Sequence, residues 1–231
     1  MKLALGAAAA ALVFGATAMA QGISNPAGTV RNFDIASLGP VLTDLGVQWE
    51  QRSGPEGQPF IVADVAGVFV NIVPAACQGG AGNGCVGAQT FALFESPAVS
   101  QQSINAFNLR YAFLSAGPLS NGYYLSRYDI ADFGIARGNV QSSLASFRSI
   151  AANASTEVSG GSQTVSTVGY ADDMSAGVLN DASARAIGVD TSHASGSDLH
   201  LREIRAMPEF VKAFAASGAA AYNKIENVAK Q

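Results

Sequence analysis

The sequence predicts an α+β fold in which an antiparallel meander of short strands carries amphipathic helices. Three observations predict it. Runs rich in Val, Ile and Phe at residues 60–63, 68–73 and 89–94 are bounded by turn chemistry, as strands are. Ala66-Gly67 between the first two runs is a hairpin turn, so those neighbours run antiparallel. Ile104, Phe107, Tyr111 and Leu114 fall on a single helical stripe, the mark of a helix with one buried face.

The elements follow in order. Residues 3–14 form an apolar run after Lys2, and Ala18-Met19-Ala20 closes it with an A-x-A cleavage pattern. Residues 1–20 therefore read as a secretory signal peptide, with a mature chain starting near Gln21 in a periplasm or outside the cell. The run is shorter than the roughly 20 residues a membrane span needs, and no later segment is long and apolar enough to span. Residues 21–32 read as a flexible lead-in. A helix starts near Asp34, a plausible N-cap, with Leu38, Val41, Leu42 and Leu45 on one face and Gly46 as its stop. Pro40 belongs in a first helical turn, which pulls the expected start later. A short strand with Trp49 spans 47–51, and turn residues fill 52–57. After the strands at 60–94 and the helix at 104–114, capped by Ser100 or Ser103, Gly117-Pro118 reads as a helix terminator. A strand with three tyrosines covers 122–129, and residues 130–134 extend the sheet. Val140, Leu144, Phe147 and Ile150 mark a further helix ending near Asn153.

From residue 158 the composition shifts to Ser, Thr, Gly, Ala and Asp, a low-complexity linker reaching residue 200. A last helix is expected from Pro208 to residue 229, Pro being favourable at a first helical position. Its seam of Val211, Phe214, Gly218, Ala221, Ile225 and Val228 fits either a short coiled-coil stripe or a tail that docks weakly on its own domain or frays. The chain thus divides into a signal peptide (1–20), the lead-in (21–32), an α+β domain (33–157), the linker (158–200) and a C-terminal helical tail (201–231).

Charge and cysteine count narrow the partners. The formal charge of −4 becomes −5 without Lys2, the opposite of the basic patch that nucleic acid requires. Cys77 and Cys85, an even and closely spaced pair in an exported chain, predict a disulfide closing the Gly-, Ala- and Asn-rich loop 78–84. That loop is no phosphate loop, since no Lys-Ser/Thr follows its glycines.

Catalytic templates fail throughout. There is no G-x-S-x-G and no H-E-x-x-H. His193 and His200, with Asp190 and Asp198, would hold a metal only if their segment folded around it. The carboxylate pairs Asp172/Asp173 and Asp129/Asp132 read as solvated turns. No catalytic residue, metal or cofactor is assigned. Asn105, Asn108 and Arg110 interleave with the apolar stripe around Phe107. They either line a groove for a partner or cap the adjoining sheet by bonding its exposed carbonyls.

The string Ile104-Asn105-Ala106-Phe107-Asn108, with the strand before it, resembles the YbjN family, labelled bacterial sensory transduction regulators. That family runs helix, strand hairpin, Cys-containing turn, strand, an "I-N-x-W-N" helix, a strand pair and a closing helix. The matching pieces here are 33–46, 60–85, 90–95, 104–114, 123–134 and 140–150, about residues 33–152. Phe107 stands where the family has Trp, and residues 117–122 replace its acidic turn. The resemblance implies a domain similar to type III secretion chaperones, with helices packed on one face of the sheet. Proteins of that fold bind polypeptide, often as homodimers, and have no catalytic residues to carry over. The expectation is a non-catalytic protein- or peptide-binding module, chaperone-like or regulatory, with an unidentified polypeptide partner at Asn105, Phe107, Asn108 and Arg110. The alternatives are a small-molecule sensor with an apolar pocket lined by Phe107, Tyr123 and Tyr124, and an enzyme with an unfamiliar site.

Overall fold

A computed structural model describes residues 23–96, 99–159 and 195–224. The signal-peptide reading and most of the linker reading lie outside the described residues. The elements run β1 (Thr29–Val30), α1 (Ile35–Asp44), β2 (Gln48–Ser53), β3 (Pro59–Val65), β4 (Val68–Cys77), β5 (Cys85–Glu95), α2 (Gln101–Arg110), β6 (Ser115–Leu119), β7 (Gly122–Ile130), β8 (Ile135–Ala136), α3 (Arg137–Ser159), α4 (Ser195–Ser217) and β9 (Tyr222–Lys224). The main sheet has the order β2-β3-β4-β5-β7-β6, antiparallel throughout, and β9 joins β5 in parallel. β1 and β8 form a separate small ribbon. The protein is therefore α+β with a mostly antiparallel sheet.

The strands follow from alternation. Along β3, Ile61, Ala63 and Val65 face one core while Phe60 and Val62 face the other. Ala66 and Gly67 both take positive φ, the turn that suits the twist of a hairpin, so the expected β3–β4 pairing forms. Cys77 and Cys85 are opposite each other in the β4–β5 ladder and are joined by a disulfide. The Asp34 carboxylate accepts from the main-chain N–H groups of Gly84 (2.9 Å) and Cys85 (2.8 Å) and makes no N-cap bond within α1, so it ties the cysteine loop to the helix entry.

One face of the sheet carries α1, α2 and α3 over a core that includes Leu42, Ile61, Phe94, Ile104, Phe107, Tyr123 and Phe147. The other face carries α4. Met207, Val211 and Phe214 pack there on Phe60, Val62, Phe91, Leu93 and Tyr124. Phe214 meets Phe60 edge-on at 4.9 Å and Phe91 at 5.5 Å between centroids. Burying side chains of this size stabilises the fold by roughly 1.5–3 kcal/mol each. Helices thus cover both faces, where the resemblance implied one.

Several boundaries differ from the sequence reading. Residues 23–32 are no loose lead-in, because Ile23 and Val30 are buried in the first core and Thr29–Val30 pairs with β8. Pro40 sits inside α1, which begins at Ile35. α2 ends at Arg110, and Gly117-Pro118 lies in β6 instead of terminating a helix. An edge strand tolerates Pro, and a Cβ on Gly117 would stand 2.3 Å from the Tyr124 ring, so glycine is what lets that ring lie against β6. Residues 131–134 turn away from the sheet instead of extending it. α4 contains Pro208 in its interior and stops at Gly218, whose φ of +72° suits glycine. The expected helical residues 222–224 form β9.

β9 enters a fork. β4 pairs with β5 only from Asn71↔Phe91 onward, and β9 takes over the vacated edge of β5 at Leu93, Phe94 and Glu95. Two buried asparagines splice the junction. The Asn71 amide donates to Ala221 O (3.2 Å) and its Oδ1 accepts from Ala221 N (2.9 Å). The Asn223 Oδ1 accepts from Phe69 N (2.7 Å), and its Nδ2 donates to the carbonyls of Phe69 (2.9 Å) and Leu93 (3.2 Å). Each side-chain amide does what a peptide group of a neighbouring strand would do.

Candidate functional site

The two outer strands of the sheet are finished differently. At β6, the Asn108 side chain accepts from Ala116 N–H (2.6 Å) and donates to Ala116 C=O (3.0 Å), covering both outward groups of that residue. Two residues on, Pro118 has no N–H to offer. No further strand can pair there without displacing Asn108. At β2 the ladder begins with Gly54 N–H bonded to Gln58 O, so the antiparallel alternation turns the main-chain groups of Trp49, Gln51 and Ser53 away from β3. Among the described residues, no strand pairs with this outer edge.

An open groove of about 820 Å³ runs beside that edge, lined by Ile35, Ala36, Pro40, Thr43, Asp44, Trp49 and Gln51. Local sequence builds it. A Cβ on Gly39 would lie 2.6 Å from the Trp49 ring, so a mid-helix glycine, ordinarily unfavourable, lets α1 seat the indole. The indole N–H donates to the Thr43 hydroxyl at 3.0 Å, which fixes the ring. At the groove's end Asp44 accepts from Ser24 and from Arg137 (2.7 Å), and the Ser24 hydroxyl and then the Arg137 guanidinium hold its carboxyl below the usual carboxylate range. Glu50 and Arg52, on the opposite side of β2, are paired with each other and half exposed.

The residues singled out on α2 are placed as follows. Phe107 is 2 % exposed in the core, and its ring lies tilted against that of the partly buried Tyr111. Asn108 is the cap on β6. Arg110 bridges to Glu157 of α3 at 2.9 Å, and Glu157 also accepts from the Tyr111 hydroxyl. Asn105 is exposed and accepts from Gln101. Three of these four side chains are thus engaged within the fold, tying α2 to β6, to α3 and to the core. Tyr123 stacks on Phe94 at 4.9 Å in the first core, whereas Tyr124 lies on the α4 face, so Phe107, Tyr123 and Tyr124 do not line one pocket. The space between α1, α3 and the sheet is about 20 Å³, room for one water.

His200 is the residue that composition hid. It is a residue of α4, 3 % exposed, with Nδ1 2.9 Å from the Tyr128 hydroxyl and Nε2 2.7 Å from Asp132. Burial pushes the Tyr128 phenol up and keeps it protonated, so the imidazole is held at both nitrogens, by a hydroxyl at Nδ1 and by the Asp132 carboxyl at Nε2. A Cβ on Gly87 would stand 2.0 Å from the Tyr128 oxygen, so this contact depends on a glycine in the facing strand. Neither concavity described above reaches His200. Its geometry is that of a clasp between α4 and the β7–β8 turn. Asp129 is buried and paired with Arg127; burial raises its carboxyl while Arg127 opposes the rise. Asp129 and Asp132 therefore serve different partners: Asp129 is a buried strand residue and not the solvated turn acid that spacing implied, whereas Asp132 does stand exposed in a turn, with one oxygen on His200. His193, Asp172, Asp173, Asp190 and the side chain of Asp198 lie outside the described residues.

Among the described residues no group of three or more His, Cys, Asp or Glu side chains could hold a metal, and no helix is long and apolar enough to cross a membrane. Compared with protein-family models, with curated proteins and with solved structures, the chain matches none.

Proposed function

We propose that this is an exported, non-catalytic polypeptide-binding module that captures an extended segment by strand addition at β2. The observation that carries the reading is the difference between the two sheet edges. β6 is closed by Asn108 and Pro118, while β2 presents the main-chain groups of Trp49, Gln51 and Ser53 beside a groove with an indole in it. Main-chain hydrogen bonds at such an edge supply affinity, and the neighbouring groove selects alternate side chains. The order of helix, hairpin, cysteine turn, strand, helix, strand pair and helix supports the YbjN-like, chaperone-like reading, as does the signal-peptide pattern for export. The β2 edge replaces α2 as the recognition element in this reading, because Phe107, Asn108 and Arg110 are engaged within the fold.

The test is Gln51→Pro. Its N–H points away from β3, so proline removes no ladder bond and is tolerated at an outer strand. In dilute solution, a fluorescein-labelled, permanently unfolded polypeptide should raise its anisotropy on wild-type protein and lose roughly tenfold or more in affinity on the variant, with the melting temperature nearly unchanged. Equal binding by both proteins places capture elsewhere.

A further inference from the structure

The β2 edge is complementary to itself in one register, and we infer that its partner is a second copy of this chain, paired β2 to β2 about a two-fold axis at Gln51. This rests on the reading of β2 as the strand-addition edge. Outward-facing groups alternate along β2 at Trp49, Gln51 and Ser53, so two copies can exchange hydrogen bonds only in registers that oppose odd-numbered residues. Three such registers lie close together. Centred on Glu50, the pairing sets Glu50 against Glu50; centred on Arg52, it sets Arg52 against Arg52. Centred on Gln51, it sets Glu50 against Arg52 twice, Trp49 against Ser53 twice, and Gln51 against itself.

The charges also fall where they count most. Glu50 and Arg52 occupy the non-hydrogen-bonded sites of the new ladder, where opposed side chains come closest. Both sit on the α4 side of the sheet, opposite Val62 and Phe60, and both remain accessible, at 58 % and 42 % of their side-chain surface. Within one copy they already pair along the strand, so a second copy turns one ion pair into an alternating group of four charges. Moving one step to either side replaces attraction by repulsion. On the α1 side, each Trp49 lies against Ser53 of the other copy, and the grooves of the two protomers join across the axis. The main sheets become one continuous sheet.

The test uses the full chain in sedimentation velocity. Wild type is expected to be a dimer, and Arg52→Glu and Glu50→Arg should each weaken it by roughly tenfold or more with the circular dichroism spectrum and melting temperature preserved. The double exchange Glu50→Arg with Arg52→Glu recreates the alternation with signs reversed and should restore the dimer. As a register check, Gln51→Cys should yield an intermolecular disulfide under mild oxidation, and Glu50→Cys should not. A dimer untouched by Arg52→Glu, a double exchange that fails to rescue, or cross-linking by Glu50→Cys in place of Gln51→Cys overturns the inference. A monomeric wild type whose Gln51→Pro variant loses unfolded polypeptide also overturns it, while leaving strand addition in place. A dimer of the stated register that takes up no unfolded polypeptide upholds it and removes the broader binding reading.

Discussion

Asn108 shows how one amide decides which side of a sheet is available. Its two hydrogen bonds to Ala116 were one of the two roles its sequence position allowed, since a polar residue beside an apolar helical stripe faces either a partner or the neighbouring strand. Periodicity placed Phe107 in the core, because a stripe of spacing three and four must be buried somewhere. It could not decide Asn108, whose role depends on where β6 passes. Asn108→Ala should cost about 1 kcal/mol per hydrogen bond lost, tempered by water reaching the edge, so a fall in melting temperature of a few degrees is expected. The same variant should self-associate more readily through β6; unchanged stability would mean that Ala116 is satisfied without it. His200 was illegible for a related reason. Its partners Tyr128 and Asp132 are some seventy residues earlier in the chain, and no local pattern announces a contact of that range.

At the scale of elements, strands bounded by turns were read well and helix ends poorly. The β3–β4 hairpin, the cysteine-closed β4–β5 hairpin and the Ser100 cap of α2 follow from local chemistry, and local chemistry is what a sequence displays. Gly117-Pro118 misleads because that dipeptide ends a helix and sits comfortably on an outer strand with equal ease. Pro40 and Pro208 lie inside helices that packing holds together on either face of the sheet. Residues 21–32 read as a flexible lead-in, yet Asp44 at the C-terminal end of α1 fastens Ser24 as well as Arg137 of α3. A carboxyl held below its ordinary range contributes stability above that range, and the contribution is lost as the pH falls through the lowered value. Urea titrations in moderately acidic buffer should therefore show wild type losing stability as pH falls, and Asp44→Asn, already lacking the clasp, should show a shallower decline. Parallel declines would exclude Asp44 as a source of the acid sensitivity.

The whole molecule is two apolar layers sharing one sheet, and the second layer belongs to α4 and β9. That is the largest departure from the sequence reading, in which a composition shift at residue 158 separated a domain from a tail. Composition marks where large apolar residues thin out; it cannot show that Val211 and Phe214 return to Phe60 and Phe91. The tail-docking alternative named at the outset is the one the described residues display. Cutting the chain at a protease site engineered between residues 160 and 194 should leave the C-terminal fragment bound, co-eluting on gel filtration until denaturant is added. Adding Phe214→Ala, a loss of about 3–5 kcal/mol in a packed aromatic cluster, should release it. A fragment that separates at once in the unsubstituted protein would show that the second layer contributes little.

The asparagine splice joins distant parts of the chain. Synthesis delivers Asn71 and Phe69 about 150 residues ahead of Ala221 and Asn223, the groups that complete them. A chain lacking residues 195–224 would be left with an open fork between β4 and β5 and an uncovered apolar face. The last described strand is thus a keystone: Asn71 and Phe69 gain these partners only when residues 221–223 are in place, so the middle of the sheet is completed by a segment far away in sequence.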